Sequence, residues 1–179
     1  IRCVKSFAQY AYGRKIVVGS FWGRVKAFFG ADNFESQVQK DLSALKEMSP
    51  TLDRTITDLE KSDKTVNIIL TGSKNRTIPE NKKDITKKQG STIEYNPQDW
   101  KTNTKKVRTP IIGLAHELGH AEDLNRGKGV RFNRTKAATG NNKEDVKLGN
   151  KSEENAIRKE NIVRKYLNVN ERKYDYYPQ

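Results

Sequence analysis

Two histidines are all that this chain of 179 residues contains, and they stand four apart in His116-Glu117-Leu118-Gly119-His120. On an α-helix, positions i and i+4 lie one above the other, so both imidazoles address one metal ion while Glu117 reaches the water beside it. Residues of those types at that spacing suit hydrolysis: a zinc ion activates the water and the adjacent carboxylate takes its proton. The competing reading is an exposed helix that carries two histidines by chance.

The residues around the motif weigh against that alternative. Thr109-Pro110 supplies a helix start, with proline allowed in the first turn, and Gly127 and Gly129 end the segment. Ile111, Ile112, Leu114, Ala115 and Leu118 make it apolar enough to be buried. Burying two histidines and a glutamate is costly unless their polar atoms are satisfied, as a metal and its water would do.

Catalytic zinc takes three protein ligands and keeps an open position. With no histidine left, the third is a carboxylate or the lone Cys3. The longer pattern HExxHxxGxxH is excluded, because Asp123 replaces its glycine and Arg126 its last histidine. Asp123 shares a face with both histidines but is better placed to fix an imidazole than to bind the metal. Downstream, Ser152 to Asn161 reads as a helix opened by a Ser cap, with Glu153 and Glu160 on one face. That helix can supply the ligand, or it can be a solvated charged helix held by i,i+4 ion pairs.

The rest of the chain must position these groups. A mass of 20.5 kDa fits one domain able to fold without disulfides, and Cys3 has no partner for an internal bridge. Residues 1–33, rich in glycine and aromatics, read as a leader or linker from a preceding region, and 34–179 as the functional domain. Phe34, Val38, Leu42, Leu45 and Met48 recur at helical spacing, and Pro50-Thr51 breaks the run before a second helical piece through Ile56 and Leu59. Val66 to Leu70 is short, β-branched and closed by Gly72-Ser73, the pattern of a strand. Ser91 to Asn96 alternates and ends at Pro97, which predicts a half-buried edge strand, and the Lys/Asn-rich stretch 73–90 between the two predicts a mobile loop. No run approaches the roughly 18 apolar residues of a membrane helix, and mean hydropathy is −0.91. The net charge of +13 raises nucleic acid as a partner, yet the lysines and arginines are dispersed and no finger or recognition-helix pattern accompanies them.

Thr109 to Ala121, preceded by Ser91 to Pro97 and followed by Glu153-x-x-Ala156-x-x-x-Glu160-Asn161-x-x-Arg164, resembles the NleD-type effector zinc metallopeptidases. Such effectors are delivered into other cells and also form C-terminal toxin modules of Rhs/YD-repeat polymorphic toxins. The resemblance covers about half the chain. It implies an α+β, zincin-like fold, a small sheet packed on the HExxH helix and a C-terminal ligand-bearing helix. It also implies a zinc cofactor held by His116, His120 and Glu153, with Glu154 as the adjacent alternative to Glu153. Glu117 would be the general base, and Arg172 with Tyr174 or Tyr176 would stabilise the tetrahedral intermediate. Asn168, Asn170 and Glu171 depart from the usual residues before that arginine. The implied protein is a secreted bacterial toxin or effector protease, carried on a larger polypeptide and paired with a cognate immunity protein. A basic nucleic-acid-binding or nuclease toxin and a non-catalytic zinc-stabilised binding module are the alternatives.

Overall fold

The computed structural model describes residues 16–18, 31–99, 101–103, 106–130 and 143–173. Cys3, Tyr174 and Tyr176 lie outside them. In chain order the elements are β1 (Ile16–Val18), α1 (Ala31–Met48), α2 (Pro50–Lys61), β2 (Val66–Leu70), β3 (Arg76–Pro79), β4 (Ser91–Tyr95), β5 (Lys101–Asn103), β6 (Lys106–Arg108), α3 (Pro110–Asn125) and α4 (Lys143–Tyr166). The fold is α+β.

The apolar stripe of α1, Phe34, Val38, Leu42 and Leu45, is buried as its helical spacing requires. Ser49 then caps α2 by accepting from the Thr51 amide, and Pro50 takes the first turn, so one sequence break separates two helices. Leu52, Ile56 and Leu59 of α2 meet Val66 and Ile68 of β2 and Ile93 and Tyr95 of β4 in the same core. Each such side chain contributes about 1.5–3 kcal/mol of burial. Tyr95, fully buried, places its hydroxyl 2.8 Å from Asp41 Oδ2 and so ties the sheet to α1.

The sheet has the order β1-β2-β4-β3. β1, β2 and β4 run parallel, and β3 is antiparallel to β4. This corrects two expectations. β4 is an interior strand, and the stretch read as a loop contributes β3 on the outer edge. Arg76 and Pro79 mark its ends: the Arg76 side chain pairs with Glu94 across the strands, and Pro79 sits where an edge strand tolerates a missing donor. Ile16–Val18, within the stretch read as a leader, pairs in parallel with β2. A separate hairpin, β5 with β6, leads into α3.

α3 begins at Thr109 and ends in a Schellman turn: Gly127 adopts φ 70°, its amide donates to Leu124 O, and the Lys128 amide donates to Asp123 O. Twelve of its residues are buried, so it is a core helix flanked by β3, β4 and α2 and packed along α4. α4 extends nine residues further upstream than Ser152 suggests, so Ser152 is an interior position and not a cap. Residues 143–151 carry no proline, and the roughly 1 kcal/mol cost of Gly149 is within what a packed helix absorbs.

The contact between α3 and α4 depends on Gly119. A Cβ there would stand 2.6 Å from Ala156 Cα, closer than atoms can approach. Gly119→Ala is therefore expected to destabilise the protein by about 1–3 kcal/mol, the overlap outweighing the roughly 1 kcal/mol of helix propensity gained. Urea unfolding measures this, and a variant as stable as wild type would mean that the helices part without cost.

Candidate active site

His116, Glu117 and His120 lie in the middle of α3, where the helix crosses the sheet at β3 and β4. α4 presents Glu153 to them. Glu153 Oε2 is 3.5 Å from His116 Nε2, and its Oε1 is 3.6 Å from His120 Nε2. Ligand atoms at about 2.0–2.2 Å around a tetrahedral ion lie roughly 3.3–3.6 Å apart. The potential ligand atoms of these three residues all lie within 4.8 Å of one another, so together they could hold one metal ion. Glu154 faces away, exposed and paired with Arg158.

The His116 ring is fixed from behind. Its Nδ1 is 3.0 Å from Glu160 Oε2, a fully buried carboxylate. Burial alone would raise the Glu160 pKa, but the His116 contact and the Arg172 guanidinium outweigh it and hold it down at about 2. Arg164 from the next turn bonds the other oxygen. A carboxylate on the far nitrogen of a ligating imidazole fixes which nitrogen faces the metal. Asp123 lines the cleft and accepts from Asn155 at 3.1 Å; burial raises its pKa to about 6.

Glu117 is almost fully buried, at 4% exposure, and is held at its Oε2 by the Thr77 hydroxyl at 2.9 Å. The same hydroxyl reaches the Glu117 carbonyl at 3.0 Å, so β3 is pinned to the turn of α3 that carries the motif. Burial pushes the Glu117 carboxyl upward, opposed by His116, Thr77 and Arg108. A carboxylate shifted in that direction is better matched to accepting a proton near neutral pH.

Arg172 comes from the segment after α4. Asn168 takes a left-handed turn (φ 54°), and the chain folds back along the helix. Asn161 then holds the Arg172 backbone in both directions, accepting from its amide at 2.7 Å and donating to its carbonyl at 2.8 Å. The Arg172 side chain reaches Glu160 Oε2 at 2.8 Å and lies 4.0 Å from Glu153 Oε2. The physical content of the spacing Glu160-Asn161-x-x-Arg164 is thus one carboxylate anchor, one backbone clamp and one buried counter-charge.

Thr77, His116, Glu117, His120, Glu153 and Arg172 line one cleft of about 810 Å³, bounded by β3 on one side and by residues 128–130 on another. Sequence reasoning identified His116, Glu117, His120, Glu153 and Arg172, and the structure brings all five to that cleft. It passed over Thr77, whose stretch carries no motif, and Arg108, which precedes the helix cap. Tyr174 and Tyr176 lie outside the described residues.

In this α+β domain two histidines and a glutamate that could hold a metal ion are gathered beside the buried Glu117. A family model of M91 peptidases, described as an effector protein, matches residues 23–168. The chain belongs to that NleD-type peptidase family. No curated protein and no solved structure matches it.

Proposed function

We propose that this protein is a zinc metalloendopeptidase with a zincin-like arrangement, which acts as an effector or toxin on proteins of a target cell. The observation that carries this reading is the convergence of His116, His120 and Glu153 in one open cleft beside the buried, oriented carboxylate of Glu117, in a chain of a peptidase family. No helix among the described residues is long and apolar enough to cross a membrane.

His116, His120 and Glu153 would hold the zinc, which when bound supplies Lewis acidity toward the scissile carbonyl and the attacking water. Glu117 accepts the proton of that water and passes it to the leaving amine. Thr77 keeps its carboxylate aimed while it does so, and burial keeps bulk water from competing. Arg172, held by Asn161 and Glu160, is the cation for the developing oxyanion, and Tyr174 or Tyr176 shares that role. β3 is the outer strand of the sheet and borders the cleft, so an extended substrate segment pairs along it with main-chain bonds. Delivery as part of a larger secreted polypeptide, of the Rhs type, requires a cognate immunity protein in the producing cell.

The test joins metal content with cleavage. The purified protein is expected to carry about one zinc per chain, lost when His116 and His120 are both replaced by Ala, since no third histidine can substitute. Cells exposed to the wild type should show new protein termini that are absent with Glu117→Gln. Stoichiometric zinc in the double variant would sink the assignment, and digestion of DNA or RNA without new protein termini would replace it with a nuclease.

A further inference from the structure

We propose that Arg108 is a specificity residue of this cleft, whose guanidinium receives the carboxylate of an Asp or Glu side chain next to the scissile bond of the substrate. The inference rests on the peptidase reading above and names the substrate class that it leaves open.

Arg108 is the last residue of β6 and directly precedes the cap of α3. Its side chain folds back over the first turn of that helix: a Cβ on Gly113 would stand 3.5 Å from both its Nε and one terminal nitrogen. Gly113 is four residues before Glu117, so the guanidinium lies on the helix face that carries the general base. The guanidinium packs there at ordinary contact distance, and it is the Asn75 side-chain amide that occupies the space a Cβ on Gly113 would take. Arg108 lines the cleft together with His116 and Glu117.

The state of the guanidinium points to a missing acceptor. Its Nε is buried and has no hydrogen-bond partner. The other arginines of the cleft are engaged, Arg76 with Glu94 and Arg172 with Glu160. Leaving a buried donor unpaired costs about 1–3 kcal/mol, more for a charged group, so a site that does so in the free protein is prepared for an incoming anion. Glu117 feels the Arg108 charge but takes its own hydrogen bond from Thr77.

The chemistry selects a carboxylate. A planar guanidinium fork matches two carboxylate oxygens, and the charge-assisted pair is stronger than a neutral bond. Around it, exposed Lys74 and Lys128 stand on the rim of the same cleft in a chain of net charge +13, which draws acidic segments toward the site.

The zinc-loaded full chain is given a degenerate peptide library, and cleaved products are sequenced by mass spectrometry. Paired peptides carrying Glu or Gln at the selected position, each with free and amidated C-termini, then give the ratio of kcat/KM. Wild type should enrich Asp or Glu at one position beside the cut and favour Glu over Gln by roughly 10- to 100-fold, with either terminus. Arg108→Gln should bring that ratio close to one, and Arg108→Lys should restore part of it. Absence of acidic enrichment in wild type overturns the proposal, as does an Arg108→Gln enzyme that keeps the Glu/Gln ratio while cutting every peptide more slowly, the signature of an oxyanion or folding role. Dependence on the free terminus would overturn it in favour of a terminal carboxylate. Binding of the same fluorescent peptides to Glu117→Gln separates the two readings: Arg108-dependent preference for Glu without any cleavage by wild type removes the peptidase and keeps the acidic ligand. Cleavage without preference does the reverse.

Discussion

Glu117→Gln is expected to keep the metal and the fold while lowering peptide hydrolysis by on the order of 10²–10⁴-fold, the usual contribution of a positioned general base. Glutamine preserves the volume of a side chain that is 4% exposed and can still accept the Thr77 hydrogen bond, so the local packing survives. Being neutral, it also removes the cost of burying a charge. The metal should remain because the candidate ligand cluster consists of His116, His120 and Glu153 without Glu117. Zinc content, thermal unfolding and turnover on one cleavable peptide measure the three consequences separately. Loss of zinc together with activity would mean that Glu117 is itself a ligand.

The glutamates of α4 should separate by their distance from the two imidazoles. Adjacent helical positions point about 100° apart, and Glu153 faces the two imidazoles while Glu154 pairs with Arg158 in solvent. Glu153→Ala removes one of three candidate donors and should weaken zinc binding by more than the roughly 10- to 100-fold typical of residues that only support a ligand. Glu160→Gln should fall in that smaller range, because it replaces the charged partner of His116 Nδ1 with a weaker one. Glu154→Ala removes one exposed ion pair, worth about 0–1 kcal/mol of stability, and should leave zinc affinity at the wild-type value. Competition with a chromogenic chelator ranks the three. An order in which Glu154→Ala loses the metal and Glu153→Ala keeps it would displace the ligand by one residue.

What the sequence determined by itself was the local chemistry. His116, Glu117 and His120 could be read without a structure because i,i+4 geometry belongs to the helix alone, and Thr109-Pro110 and Gly127 bound that helix through backbone rules that act within a few residues. The helices either side of Ser49 and the strands at 66–70 and 91–95 were legible for the same reason. Tertiary structure decided what depends on residues far apart in the chain. Arg76–Pro79 has too few residues to signal a strand, and β4 supplies the partner that makes it one. The strand Ile16–Val18 needs β2 in the same way. Ser152 looks like a cap until packing against α3 extends α4 upstream. Thr77 is ordinary in sequence and acquires a role because β3 crosses the turn of α3 that holds Glu117. Arg108 lines the cleft because its side chain folds over the first turn of α3 beside Gly113, a contact that no pattern of residue types displays. Local rules therefore fix the spacing of His116, Glu117 and His120 along one helix, while the approach of Glu153 and the hydrogen bond from Thr77 come from contacts that exist only once the chain has folded.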